Sequence, residues 1–141
     1  MTGQAKRYQT QWAAQFYVAA ELTRGGYLVS LTLGNAPVVD LLVVSPNNIN
    51  FKVDVKRQST KNFWLIQRRI AQDDLFYFLV YLPKNAEYPN FFILSSSELM
   101  SRREEYKRHI ESRSGKYRDD MGGINWSTAL QYKDKWDILP P

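Results

Sequence analysis

The sequence predicts an α/β fold: a mixed central β-sheet of about four to five strands flanked by helices. Three observations lead to this prediction. An amphipathic segment near the N-terminus is followed by three β-rich segments, which are separated by turn-forming residues. Two more β-rich segments come next, and the first of them is apolar at almost every position. A strongly charged helical segment follows, and this order is typical of a sheet with helices on its faces.

The first half of the chain predicts one helix and three strands. Apolar residues recur at helical spacing from Gln9 to Arg24, and Gly25-Gly26 tolerates the left-handed backbone found at helix ends. Each of the next three segments is bounded by turn-forming Gly, Pro, Asn or Ser. The second is apolar at all but one position, so we expect a central strand covered on both faces. The predicted elements are a helix over 9–24, strands over 27–33, 38–44 and 49 or 50 to 58, and a turn over 34–37.

The second half predicts two more strands and two helices. Residues 63–66, Phe-Trp-Leu-Ile, fit a short strand or the start of a helix, and both alternatives stay open. Ser95-Ser96-Ser97 offers a helix N-cap, and Glu98 then supplies an acidic first turn. The predicted elements are strands over 75–82 and 91–94, helices over 97–111 and from about 125 to 132, and an exposed loop over 112–123.

The composition predicts one folded domain with a polyanionic partner. The 141 residues are 44% hydrophobic, enough for a single core. We expect residues 9–97 to form that core and residues 97–141 to add a C-terminal helical extension. The 19 basic residues outnumber the 14 acidic ones, and this net charge of +5 favours DNA or another nucleic acid as a partner.

Several function classes are excluded by residues that the chain lacks. It has no cysteine and one histidine, so thiolate sites, histidine-based zinc sites and a Ser-His-Asp triad are not expected. It has no Gly-rich phosphate loop. No membrane span and no secretory signal are predicted, and the absence of cysteine is compatible with a cytoplasmic location.

Three charged residues interrupt two of the apolar predicted strands. Asp40 lies within Val38–Val44, where a carboxylate is unfavourable unless something neutralises it. Residues 51–56 alternate apolar and charged, so Asp54 and Lys56 project from one strand face. If the two strands pair, Asp40 and Asp54 converge beside Lys56, and two carboxylates with an amine suit a divalent-metal site for phosphodiester chemistry. The same alternation is also typical of a solvated strand face, and that alternative stays open.

The element order and these charged residues resemble the PD-(D/E)xK nuclease superfamily, and within it restriction-endonuclease-like and Holliday-junction-resolvase-like domains. The family has an acidic residue at or in its second core strand and (D/E)-x-K in its third. The matching residues here are Asp40 and Asp54-Val55-Lys56. A glutamate on the preceding helix is often a further ligand, and Glu21 lies there. Pro37 precedes Asp40 by three positions, whereas the family motif places its proline directly before the acidic residue.

The resemblance implies a restriction-endonuclease-like core and a Mg²⁺-dependent DNA endonuclease, acting by metal-activated water attack on substrates that include branched DNA. It implies that Asp40, Asp54, the Val55 carbonyl and Glu21 hold Mg²⁺, for which Mn²⁺ would substitute. Lys56 would orient the attacking water, help to deprotonate it, or stabilise the transition state. A homodimer with one active site per DNA strand fits a domain of this size. The alternative is a non-catalytic module on the same fold that binds nucleic acid or protein.

Further polar residues are candidates for the same site. Gln58 lies two positions beyond Lys56 on the same strand face, and Ser30 on the first strand lies within reach of it. Glu21 has a second explanation as the helical ion-pair partner of Arg24. The basic residues after the third strand fit contacts to a DNA backbone and fit an ordinary solvated stretch equally well; they are Arg57, Lys61, Arg68 and Arg69.

Overall fold

A computed structural model describes residues 3–32 and 39–141. Its elements are the helices α1 (Gly3–Arg24), α2 (Ser96–Ser114) and α3 (Trp126–Leu130) and the strands β1 (Leu28–Leu31), β2 (Leu41–Val44), β3 (Asn50–Gln58), β4 (Trp64–Leu65), β5 (Leu75–Tyr81), β6 (Asn90–Ser95) and β7 (Gly123–Ile124). Short 3₁₀ turns occupy Asp119–Met121 and Trp136–Ile138.

The main sheet has five strands in the order β1-β2-β3-β5-β6. The strand β3 pairs with β5 in parallel, and the other three pairings are antiparallel. The strands β4 and β7 form a separate antiparallel pair. The predicted α/β class and mixed sheet with flanking helices are therefore confirmed, and β3 lies at the centre of the sheet.

Apolar residues on each face of the sheet form two cores. On one face, α1 packs its buried stripe against the sheet; this core includes Ala14, Val18, Leu22, Leu41, Val53, Val55 and Phe78. On the other face, α2, α3 and the β4–β7 pair cover β5 and β6; this core includes Trp64, Tyr77, Phe92, Leu99, Ile124 and Ala129. Since α2, β7 and α3 contribute to it, the C-terminal third helps to form the fold. No helix in the described ranges is both long and apolar enough to cross a bilayer.

Two helix ends lie at the predicted capping residues. The backbone N–H of Gly26, whose φ is 93°, bonds to the Thr23 carbonyl and ends α1 where the glycine pair predicts. The helix α1 begins at Gly3, earlier than the predicted start at Gln9. The hydroxyl of Ser95 caps α2 by accepting from the Glu98 backbone N–H at 3.1 Å.

One error in the strand prediction concerns the coverage of β2. Leu42 is 47% exposed, and on the neighbouring β1 Leu28 is 72% exposed. The reason is that α2 and the β4–β7 pair lie over β5 and β6, so this face of the β1–β2 hairpin stays open. Residues 63–66, left open between strand and helix, contain β4. The predicted turn 34–37 and the predicted strand residues Leu33 and Val38 lie outside the described residues.

Candidate active site

A cleft of about 680 Å³ lies where α1, β3 and β4 approach one another. Asp40, Asp54 and Lys56 all line it, as the strand pattern predicts. Asp40 directly precedes β2 instead of lying within it, while Asp54 and Lys56 lie on β3. The antiparallel register between β2 and β3, continued by a bond from the Asp40 backbone N–H to the Val53 carbonyl at 3.0 Å, brings the two acidic residues to one place.

Asp54 is buried, and each of its carboxylate oxygens contacts a cation. Its side chain is 5% exposed. The Lys56 ammonium lies 3.3 Å from Oδ1, and the Arg69 guanidinium lies 3.0 Å from Oδ2. Lys56 reaches Asp54 because residues two apart on a strand share a face. Arg69 comes from the connection between β4 and β5, and its guanidinium also lies 5.9 Å from the centre of the Tyr77 ring.

Asp40 is held by two hydrogen-bond donors. Its Oδ2 accepts the Val55 backbone N–H at 2.7 Å, and its Oδ1 accepts the Gln15 amide at 3.1 Å. Burial raises the pKa of Asp40 above its ordinary value, and the negative charge of Asp54 raises it further. The Val55 hydrogen bond opposes this shift, as do the charges of Lys56 and Arg69.

The residues present fit an oxygen-liganded divalent cation. Asp40, Asp54 and Val55 line the same cleft and can supply two carboxylates and a backbone carbonyl, and hard cations such as Mg²⁺ prefer oxygen ligands. Asp40, Asp54, Lys56 and Arg69 together carry no net charge when all four are ionised, so the site is balanced without a metal. Within residues 3–32 and 39–141, no three His, Cys, Asp or Glu side chains form a group that could hold an ion. An ion here would therefore rely on two carboxylates together with carbonyl, water or substrate oxygens.

Two glutamines of α1 belong to this site and were not predicted. The Gln11 amide donates to the Val55 carbonyl at 3.2 Å, and Gln15 donates to Asp40. Gln15 is only 7% exposed and lies on the buried face of α1 with Ala14 and Val18. A glutamine inside an apolar helix stripe is the signal that could have identified it, because buried amides require partners.

The structure does not bring Glu21 or Ser30 to the cleft. Glu21 pairs with Arg24 at 3.2 Å and accepts a short hydrogen bond from the Tyr88 hydroxyl. It lies more than one helical turn beyond Gln15, which occupies the position facing Asp40. Ser30 pairs with Leu42 in the sheet register and lines a different cavity, on the open face of the hairpin.

The remaining candidates divide between the cleft and its surroundings. Arg57 and Gln58 line the cleft, as do Asn62 and Phe63 of the following connection. The Gln58 amide donates to the Asn62 carbonyl at 2.8 Å. Lys61 is exposed and is not part of the cleft wall.

Arg68 and Arg69 are neighbours in the chain but have different surroundings. Arg68 pairs with Asp119 at 2.8 Å and lines an adjoining cavity that shares Lys56 and Leu65 with the cleft. Arg69 lines the cleft itself. Arg69 thus lies beside the acidic pair, its contact with Asp54 was not predicted, and its contact with a DNA backbone stays a prediction.

Comparisons with family models, with curated proteins and with solved structures return no match to this chain. The fold class alone does not define a function, because the same fold class supports many unrelated activities.

Proposed function

We propose that the protein is a Mg²⁺-dependent endonuclease that hydrolyses phosphodiester bonds in DNA, with Mn²⁺ able to replace Mg²⁺. The observation that carries the proposal is that Asp40, Asp54 and Lys56 all line one cleft. Two carboxylates beside an amine supply oxygen ligands for a cation and a positive charge for a reacting phosphate. The net charge of +5 supports a polyanionic substrate.

Each residue of the cleft has a role in this proposal. Asp40 and Asp54 would hold the ion, with the Val55 carbonyl as a further ligand. When bound, Mg²⁺ would lower the pKa of a water molecule and neutralise charge on the phosphate. Lys56, whose side chain is 33% exposed, presents its ammonium group to the cleft, where it orients the attacking water and stabilises negative charge on the phosphate. Gln15 fixes the orientation of the Asp40 carboxylate.

The walls of the cleft suit a nucleic-acid backbone. Arg57 lines the cleft with a positively charged guanidinium group. Phosphate oxygens are strong acceptors for such a group. Gln58 supplies an amide on the same wall, and the exposed Lys61 adds positive charge nearby along the chain. A homodimer would allow the two strands of branched or duplex DNA to be cut by separate sites.

Cleavage assays with a matched pair of lysine variants test the proposal. Lys56 and Lys52 lie on the same strand, but Lys52 pairs with Asp74 at 3.4 Å, outside the cleft. We expect Lys56→Ala to lower Mg²⁺-dependent cleavage by about 100-fold or more, while Lys52→Ala leaves it near the wild-type rate. Branched, duplex and single-stranded DNA and a matching RNA would be compared with Mg²⁺ and with Mn²⁺. Absence of cleavage on every substrate would refute the endonuclease proposal, and cleavage of RNA alone would refute the choice of DNA.

A non-catalytic binding module is the second candidate, and one observation favours it. All four carboxylate oxygens of Asp40 and Asp54 contact donors or cations within the protein, so the site is satisfied without a metal. Such a module would bind DNA or a protein without cutting DNA, and its affinity would not change when EDTA replaces Mg²⁺. Tight Mn²⁺ binding that Asp54→Asn abolishes would instead support the enzyme.

A further inference from the structure

The Arg69–Asp54 ion pair occupies the place where a metal ion would bind in the function proposed above. The guanidinium lies 3.0 Å from Asp54 Oδ2, and the Asp54 side chain is almost fully buried. A divalent cation would have to use the same carboxylate, whose other oxygen already faces Lys56 at 3.3 Å. Like charges repel strongly in a half-buried site, so Arg69 in this position opposes metal binding.

The charge balance of the cleft also opposes the binding of a metal ion alone. The two carboxylates are neutralised by Lys56 and Arg69 in the metal-free protein. A Mg²⁺ or Mn²⁺ ion alone would leave the site with two excess positive charges. A phosphodiester that entered with the ion would remove one of them and would offer Arg69 a new acceptor, since guanidinium groups bind phosphate well.

Arg69 is better placed than Lys56 to change partners. Lys56 lies in β3, at the centre of the sheet. Arg69 lies between β4 and β5 in a stretch without regular secondary structure, and its neighbour Ile70 is 89% exposed. The Arg69 side chain already lines the cleft and is 20% exposed, so its guanidinium can move from Asp54 to a phosphate there while the Met100 sulfur keeps its contact with the Arg69 backbone N–H at 3.4 Å.

We propose that Arg69 competes with the metal ion for Asp54: it neutralises this carboxylate in the free protein and transfers to the substrate phosphate when a divalent cation binds. Metal and DNA binding are therefore coupled: a bound metal ion releases Arg69 to bind phosphate, and a bound phosphate draws Arg69 away from Asp54. The free protein binds divalent ions weakly, and the ion is retained once a phosphodiester lies in the cleft. The inference rests on the metal-dependent function proposed above and assigns Arg69 the control of metal occupancy.

Calorimetric titration with Mn²⁺ alone measures this competition without relying on activity. Arg69→Gln removes the charge and keeps an amide donor, Arg69→Lys keeps the charge, and Arg68→Gln removes the neighbouring charge that pairs with Asp119. We expect Arg69→Gln to bind Mn²⁺ about 10-fold more tightly than wild type, since the loss of one charge-assisted contact is worth about that factor. Arg69→Lys and Arg68→Gln should keep the wild-type affinity. At saturating Mn²⁺, Arg69→Gln should raise KM for DNA. The substitution would thus weaken the interaction with DNA while it tightens Mn²⁺ binding.

A second measurement covers the case in which Arg69→Gln does not fold. In the Lys56→Ala protein, saturating duplex DNA should tighten Mn²⁺ binding by about 10-fold relative to the same protein without DNA. If wild type binds Mn²⁺ and cuts DNA but neither Arg69→Gln nor added DNA tightens Mn²⁺ binding, the role of Arg69 is refuted and the enzyme proposal stands. If no variant binds Mn²⁺ and no DNA is cut, both proposals fail together.

Discussion

The Val55 backbone N–H donates a 2.7 Å hydrogen bond to the Asp40 carboxylate, and this bond continues the β2–β3 ladder beyond the end of β2. The preceding ladder bond runs from the Asp40 backbone N–H to the Val53 carbonyl. The Asp40 carboxylate thus accepts the hydrogen bond that a backbone carbonyl would accept if β2 extended further. The carboxylate has a structural role in the sheet as well as a place in the cleft, and the two roles can be separated by substitution.

Asp40→Ala and Asp40→Asn should differ in stability but not in activity. Alanine leaves the buried Val55 N–H without an acceptor, so we expect the free energy of unfolding to fall by about 1–3 kcal/mol. Asparagine keeps an acceptor oxygen, so Asp40→Asn should change it by less than about 1 kcal/mol. Both should lose Mg²⁺-dependent cleavage. Urea denaturation and cleavage assays on the two proteins test this, and an active Asp40→Asn would exclude Asp40 as a metal ligand.

The pH dependence of stability should report the raised pKa of Asp40. Because burial raises this pKa in the folded protein, the folded state holds the proton more tightly than the unfolded state does. The resulting stabilisation is complete below the unfolded pKa and is lost as pH rises through the folded pKa. Asp40→Asn lacks this loss, so its stability relative to wild type should increase with pH across that window. Urea midpoints of both proteins from about pH 3 to pH 7 give the comparison, and a relative stability that falls with rising pH would contradict it.

Gln15→Glu should make stability depend on metal. The substitution replaces the amide that donates to Asp40 with a third carboxylate, which repels Asp40 in the metal-free protein. With Mn²⁺ present, the same carboxylate adds an oxygen ligand. We expect a lower Tm than wild type in EDTA and a Mn²⁺-induced rise in Tm larger than that of wild type, corresponding to about 10-fold tighter binding. Gln9→Glu, which adds the same charge at an exposed position of α1, should show neither effect.

Gly123→Ala should loosen one wall of the cleft. A Cβ atom at Gly123 would lie 1.8 Å from the Trp64 carbonyl oxygen, so β7 could not stay paired with β4. We expect a loss of about 3 kcal/mol in the free energy of unfolding, and weaker cleavage because Trp64 and Leu65 line the cleft. At Gly3, the matched control, a Cβ would meet nothing within 4 Å, and alanine should be neutral or slightly stabilising. Equal urea midpoints for the two variants would show that the close approach is not required.

The sequence predicts those parts of the site that depend on local periodicity. The shared face of Asp54 and Lys56 follows from strand alternation alone, and the approach of Asp40 follows from pairing neighbouring segments. Gln15 and Arg69 were missed as partners of the carboxylates, because their positions depend on how α1 and the β4–β5 connection pack on the sheet. Glu21 shows the converse. It fits the motif by order along the chain, but the helix turns it toward Tyr88.

Arg103 shows a second limit of sequence reasoning. In the sequence it is one of many charged residues of α2. In the structure it is 2% exposed, and its guanidinium donates to the Ile66 carbonyl at 2.6 Å and to the Asp119 carbonyl at 2.7 Å. A long charged side chain gives no sign in the sequence that it will be buried, because its burial depends on carbonyl groups from two distant segments.

From the parallel pairing of β3 with β5 we expect an order of events during folding. The β2–β3 hairpin is local in sequence and can bring Asp40 beside Val55 early, whereas the parallel pair requires closure of the long connection that carries Arg69. Until that closure, the two carboxylates have Lys56 beside them but lack Arg69, the second cation that contacts Asp54 in the finished protein. We expect Mn²⁺ to speed refolding in stopped-flow experiments by screening their repulsion, so that the ion would act on the chain as a folding aid before Arg69 arrives to compete with it.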